Sequence, residues 1–343
     1  MKTIILAKQA FAGLIFALVA AFQTSLAVAV SPSDAPPLTP GSGKWEPEAN
    51  LFGLQNASMY VPKNTHPQTR GSGRALLVSL HGCAMTAANV INRGFNWEDV
   101  AEKYGMIVLA PTVPAGTNAT RIYPTCWDWF GENHARNTRD EAVVLNIVAA
   151  IKARKELNID PQQVYVVGLS SGAGLVNSLA CVAPDVFAGA AAVAGPALYT
   201  AANSGVGSKA HMTPAAVAKI CTELAGDQQQ AALATQLYSA AHGSNDIFVD
   251  ITQSQVQTEA MKLVYRASQK SADTSDAKAI TEAWKDEAGR QRVLFVKGIG
   301  LGHAWPAGAG GSGGGNFVNY ESFNYPQTIV QYFFENNPRL SKK

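Results

Sequence analysis

Four short runs, 75–80 (ALLVSL), 106–110 (MIVLA), 164–167 (VYVV) and 188–194 (AGAAAVA), are almost wholly apolar and are separated by stretches of helical spacing. A strand with one solvated face alternates apolar and polar residues. These runs do not alternate, so both of their faces must be covered, as in a parallel sheet flanked by helices. Two later runs, 237–241 and 293–296, continue the pattern. Helical spacing is read at 96–104, 173–183 and 325–336, the last with Ile329, Val330, Phe333 and Phe334 inward. It is clearest at 140–156, where Val143, Val144, Ile147, Val148 and Ile151 form one stripe behind an acidic first turn. The alternation predicts an α/β fold, a mostly parallel central sheet with helices on both faces. No internal repeat interrupts it. The Pro/Ser/Gly-rich stretch 31–44 is the one linker, so residues 50–343 read as a single domain behind a leader at 30–49.

Residues 1–29 stand apart. Lys2 and Lys8 precede an apolar run at 10–22, and Ala27-Val-Ala29 offers a small-residue cleavage site. The run is too short to cross a hydrocarbon core comfortably, which takes about 20 residues. A signal peptide cleaved near Ala27 or Ala29 is expected, with an extracellular or periplasmic destination and no integral membrane span. Its removal brings 27 basic residues down to 25, against 25 acidic ones. A neutral chain without a Lys/Arg cluster is not built for nucleic acid, and it suits an uncharged or apolar substrate.

Cys83, Cys126, Cys181 and Cys221 form no CxxC pair, and no HExxH or His/Cys cluster is present, so neither metal nor cofactor is expected. In an oxidising compartment an even count implies disulfides. Three pairings are possible. Cys83–Cys126 with Cys181–Cys221 is favoured; each bridge would close a loop worth about 4 kcal/mol of chain entropy.

The stretch 165–174 (YVVGLSSGAG) carries the chemistry. Gly168-Leu-Ser170-Ser-Gly172 fits G-x-S-x-G between a strand and a helix, the context in which a tight turn lifts a nucleophilic serine above the sheet of an α/β-hydrolase. Ser171 fits less well, because Leu169 and Ala173 would then replace the glycines. A serine needs a base, and the base needs an acid to orient it. In such folds these follow in the order Ser, Asp/Glu, His. Asp246 lies beyond the strand 237–241 and His303 beyond 293–296, so Ser170, Asp246 and His303 satisfy the order at strand ends, where open α/β sheets hold ligands. Asp250 is the rival acid, placed where Ile247-Phe-Val should already be packing. His81 and His242, each before a glycine at a strand end, read as structural. The backbone N–H groups of Cys83 and Ser171 are the expected oxyanion donors. Gly308 to Gly313 fits GxGxxG but follows no strand and opens no helix, so no dinucleotide site is expected there. Asn56 and Asn118 begin glycosylation sequons.

Together, Leu80-His-Gly-Cys83, Cys126-Trp-Asp-Trp-Phe130, the Gly-Leu-Ser-Ser-Gly box, His242-Gly-x-x-Asp246 and Gly302-His-Ala-Trp-Pro306 resemble the secreted polyhydroxybutyrate depolymerase esterases, relatives of feruloyl and acetylxylan esterases. The resemblance covers about residues 50–336. It implies an α/β-hydrolase fold with the triad above, and it supports the Cys83–Cys126 pairing. It also implies a serine esterase whose partner is an insoluble or oligomeric polyester rather than a stable protein. Rival expectations are a feruloyl/acetylxylan-type carbohydrate esterase and a noncatalytic polymer-binding protein on the same fold. The chain departs from the family in the serine after the nucleophile and in having no room for an appended polymer-binding domain, so amorphous polymer should be attacked before crystalline. Among the aromatics, Trp129 and Trp305 are expected to line the acyl pocket, and Tyr320 and Phe323 to form a shallow adsorption surface.

Overall fold

The computed structural model describes residues 38–49, 51–118, 121, 123–201 and 206–340. The expected signal segment, the first part of the leader and Thr120 of the second sequon lie outside them. In chain order the elements are β1 (Trp45–Glu48), β2 (Ala57–Tyr60), β3 (Arg74–Leu80), α1 (Ala87–Val90), α2 (Glu98–Tyr104), β4 (Ile107–Pro111), α3 (Arg139–Lys152), β5 (Ile159–Leu169), α4 (Ser171–Val182) and β6 (Gly189–Val193). There follow α5 (Pro214–Leu233), β7 (Leu237–Gly243), α6 (Ile251–Tyr265), β8 (Gln269–Ser275), β9 (Ala279–Lys285), β10 (Gln291–Gly298), β11 (Trp305–Pro306), β12 (Val318–Asn319) and α7 (Tyr325–Asn336).

Among the described residues ten strands form one sheet in the order β1-β2-β4-β3-β5-β6-β7-β10-β9-β8. The six from β4 to β10 run parallel, and antiparallel strands close both edges. The apolar runs occupy the parallel centre. Leu76, Val78, Val164, Val166, Ala190 and Ala192 point into one layer of core; Leu77, Val108, Tyr165, Val167, Ala191 and Val193 point into the other. Helices α3 and α4 cover the first face. On the second, α7 stacks Phe333 on Tyr165 with ring centroids 4.7 Å apart. Burial on both faces explains why these strands lack alternation.

Three expected helices shift at their ends. The one placed at 96–104 starts at Glu98, because Asn96 turns to φ 62° and its side-chain amide donates to the carbonyls of Ala307 and Ala309. The 140–156 helix stops at Lys152, and a separate 3₁₀ turn, Lys155–Leu157, leads into β5. The 173–183 helix begins at Ser171, directly after Ser170. Since the switch from β5 to α4 takes a single residue, that residue carries the whole change of direction.

Candidate active site

Ser170 is that residue. Its backbone sits at φ 54°, ψ −115°, a region that costs a side-chain-bearing residue about 1–3 kcal/mol and persists only where its surroundings enforce it. Enforcement comes from both neighbours: the Ser170 N–H donates to Val193 O of β6 at 2.9 Å, and the Gly174 N–H donates to Ser170 O at 2.9 Å. The glycines of the motif have a steric cause. A Cβ on Gly168 would collide with the Gly172 carbonyl, and one on Gly172 would lie 2.5 Å from His81 O and 2.7 Å from Leu80 O. The Ser170 hydroxyl has no hydrogen-bond partner among the described residues; catalytic hydrogen bonds of this kind tighten when substrate arrives.

Asp246 and His303 are brought together. His303 Nδ1 lies 2.7 Å from Asp246 Oδ2, while Asp246 Oδ1 accepts the backbone N–H groups of Phe248 and Val249, each at 2.9 Å. The two loops interlock. The Asn245 N–H donates to Leu301 O, the Ser244 N–H to Gly298 O, and the Gly300 N–H to the Ser244 hydroxyl. Burial pushes the Asp246 carboxyl up, but hydrogen bonds from His242 and His303 outweigh it and hold the group well below the usual carboxylate range. It is therefore a fixed anion on one edge of the imidazole. The rings of Phe248 and Phe317 flank His303 at 5.4 and 6.1 Å.

Asp250 has another occupation. Its Oδ1 accepts the Thr252 N–H at 2.9 Å and the Thr252 hydroxyl at 2.6 Å, capping α6. The packing expected of Ile247 and Phe248 before it is not found: they are 85% and 56% exposed. Asp246 turns the chain back on itself, and that turn throws both side chains outward.

The backbone N–H groups of Cys83 and Ser171 have no hydrogen-bond partner among the described residues, and both residues line a cavity of about 300 Å³ at Ser170. Beneath the first of them, buried His81 accepts the Val113 N–H at Nε2 (3.1 Å) and donates from Nδ1 to Gly82 O (2.7 Å). Burial holds its pKa down to about 4, so it is a neutral strut of the loop that carries Cys83. Disulfide Cys83–Cys126 ties that loop to the segment bearing Trp129, and Cys181–Cys221 ties α4 to α5.

Trp129 lines the cavity, with Tyr123, Pro196, Val206 and Val249, which sequence reasoning missed. Its orientation has a cause. Asp128 is clamped from below by the Arg139 guanidinium, its N–H donates to Asp140 Oδ2 at 2.9 Å, and Arg121 pairs with Asp140 at 3.1 Å. With Asp128 drawn down, Trp129 faces the cavity. Trp305 does not join it. It is fully buried, stacked on Phe95 at 4.4 Å with its indole N–H on Phe95 O, because β11 turns its side chain under the loop that carries His303. Tyr320 and Phe323 are likewise only partly exposed. The Tyr320 hydroxyl accepts the Gly314 N–H, and Phe323 packs edge-on against Tyr325 at 6.1 Å. The exposed apolar residues beside the site are Ile247, Phe248 and Tyr123. His242 was read as a structural histidine, yet its Nε2 lies 3.2 Å from Asp246 Oδ2; the four-residue spacing within HGSND was the available signal.

A family model described as "Esterase PHB depolymerase" matches residues 58–228. The poly(3-hydroxybutyrate) depolymerase of Ralstonia pickettii is 33% identical over 88% of this chain and 63% of its own length, so the chain spans less than two thirds of that relative. The acetylxylan esterase of Coprinopsis cinerea is 29% identical over 73% of this chain and 66% of its own. Among solved structures, an acetyl xylan esterase from Aspergillus awamori superposes with a TM-score of 0.58 over 76% of this chain and 93% of its own, at 19% identity, which speaks to the fold alone.

Proposed function

We propose that the chain, which matches the PHB depolymerase esterase family over residues 58–228, is a serine esterase that hydrolyses a polyhydroxyalkanoate or its oligomers through an acyl-enzyme. His303 takes the proton of Ser170, whose oxygen attacks the ester carbonyl. Asp246 orients the imidazole and stabilises its cation. The N–H groups of Cys83 and Ser171 receive the oxyanion, and His303 returns the proton to the leaving alcohol. Water, activated by the same imidazole, then releases the hydroxy acid and frees Ser170. The observation that carries this reading is the 2.7 Å pairing of His303 with an acid held ionised, on loops at the same end of the sheet as a serine in a strained turn.

The cavity supports a small apolar acyl unit: its wall is Trp129, Tyr123, Pro196, Val206, Val249 and a disulfide, with no charged side chain. Residues 50–343 act as one catalytic domain behind a leader, with residues 1–29 as the export signal. The two disulfides fit the oxidising compartment to which it would lead, and no described helix is long and apolar enough to cross a membrane. The competing reading, deacetylation of xylan, draws on the Coprinopsis relative. Purified protein given polyhydroxybutyrate emulsion and acetylated xylan in parallel decides between them. Clearing with release of hydroxybutyrate and its oligomers is expected. Acetate release without clearing would replace the polyester by the polysaccharide, and turnover of neither would leave a binding protein.

A further inference from the structure

His242 is the sixth residue of β7 and is fully buried. Its Nε2 faces two groups that can only accept, Val249 O at 3.0 Å and Asp246 Oδ2 at 3.2 Å, so that nitrogen carries a proton. The other nitrogen lies 2.7 Å from the Ser254 hydroxyl of α6, which itself lies 3.3 Å from Gly195 O after β6. The ring is thus pinned between β7, α6 and the β6 loop, with one N–H aimed at the acid. With the two amides on Oδ1 and His303 on Oδ2, every hydrogen-bond contact of the Asp246 carboxylate among the described residues is a donor. The charged or titratable groups facing His242 are Asp246, with His303 beyond it, and Asp250, with Lys209 beside that.

We infer that His242 is a positioning residue: a second imidazole that fixes the Asp246 oxygen on which His303 turns and takes up part of its charge. The inference rests on the triad proposed above. It has two consequences. Without the His242 N–H the carboxylate loses a charge-assisted bond and its fixed direction, so His303 is aimed less well. The charge that remains also acts more fully on His303, which favours the imidazolium and makes His303 harder to deprotonate.

The test is kcat, KM and the pH profile on a soluble p-nitrophenyl ester for His242→Phe, His242→Gln and Asp246→Asn, with Tm measured for each. His242→Phe should lose about 10–100-fold in kcat, the kinetic equivalent of one hydrogen bond to a charged group, with KM little changed. The acid limb of its kcat/KM profile should move up by about half a pH unit or more. His242→Gln places an amide N–H near the lost Nε2, and should recover kcat to within about threefold, with the limb unmoved. A folded His242→Phe enzyme with normal kcat overturns the inference. So does a limb that stays put or moves down, or a Gln variant as slow as the Phe variant. If His242→Phe does not fold, the Gln variant alone decides, since a folded Gln enzyme with a large kcat loss would show that the donor is not what matters. Asp246→Asn separates the two levels: full activity there sinks the triad itself, whereas an inactive Asp246→Asn beside an unaffected His242→Phe sinks only this inference.

Discussion

Gly172 lies against His81 so closely that a Cβ on the glycine would stand 2.5 Å from the His81 carbonyl oxygen. The contact joins the helix after Ser170 to the strand end that leads into Cys83, so the two proposed oxyanion donors are held in register by a missing side chain. Gly172→Ala must push α4 away from β3. Overpacking of this kind costs about 1–3 kcal/mol, and the displacement falls on Ser170 and Ser171. The expected result is a lower Tm together with a loss in kcat larger than the loss in stability explains. An alanine variant with normal kcat would show that the register is not set here.

The pair Gly168 and Gly172 is why the candidate site was legible from sequence: close packing at a sharp turn leaves few residue choices, and strand–turn–helix context removes most accidental matches. The parallel strands were legible for a similar reason, since burial on both faces leaves continuous apolar runs such as 75–80 and 164–167. The unread elements lack such constraint. β8, Gln269–Ser275, is an edge strand whose residues are nearly all exposed and polar, and α5 is bent at Gly226, which breaks its periodicity. Trp305 was misplaced because nearness in sequence to His303 was taken for nearness in space. Two residues beyond the base, β11 carries that side chain into the core. His242 escaped because a buried histidine at a strand end is ordinarily satisfied by backbone, and only the fold reveals that its partner is the acid.

Ser170 and Ser171 are adjacent and should behave differently. Ser170→Ala removes the proposed nucleophile, with a loss on the order of 10⁶ in kcat expected from triad knockouts. Ser171 contributes its backbone N–H, and its hydroxyl also accepts the Trp127 N–H at 3.4 Å. Ser171→Ala leaves that buried N–H unpaired, so a stability loss of about 1 kcal/mol and a kcat within about tenfold of the parent are expected. Comparable inactivation of both folded variants would reopen the choice of nucleophile.

The two disulfides should separate stability from activity. Each closes a loop of about 40 residues, worth about 4 kcal/mol in the chain-entropy account. Cys83–Cys126 holds the oxyanion loop to the Trp129 segment, whereas Cys181–Cys221 joins α4 to α5. Cys126→Ala with Cys83→Ala should lower both Tm and kcat. The Cys181→Ala, Cys221→Ala pair should lower Tm while kcat at low temperature holds. Equal effects on kcat would mean that the first bridge has no special hold on the site.

Acid stability follows from Asp246. Its folded carboxyl lies below the usual range because the two histidine hydrogen bonds outweigh burial. A depressed folded pKa means that the unfolded chain binds the proton more readily, so this stabilisation is complete above the unfolded value of about 4 and is lost as pH falls below it toward the folded one. Denaturant midpoints of the parent should drop between about pH 4 and pH 2, and Asp246→Asn should flatten part of that drop. An unchanged slope would remove Asp246 from the acid-labile groups.

Polymer contact should centre on Ile247 rather than on Tyr320 and Phe323. The turn that holds Asp246 also presents Ile247, 85% exposed, and Phe248, whose ring lies 5.4 Å from His303. An apolar tip on the loop whose Val249 lines an apolar cavity can lie on a polyester surface while an ester bond enters beside it. Burying one such side chain is worth about 1.5 kcal/mol or more, roughly a tenfold change in partition. Ile247→Ser should therefore reduce film degradation about tenfold more than it reduces soluble ester hydrolysis. Tm should stay constant, because exposed substitutions move stability by only about ±0.5 kcal/mol. Phe323→Ser, which opens a hole beside Tyr325, should lower Tm and both activities together. Adsorption of the Ser170→Ala protein to polyester particles, with and without Ile247→Ser, reads the contact apart from turnover. Equal adsorption of the two would move the polymer-binding surface away from this tip.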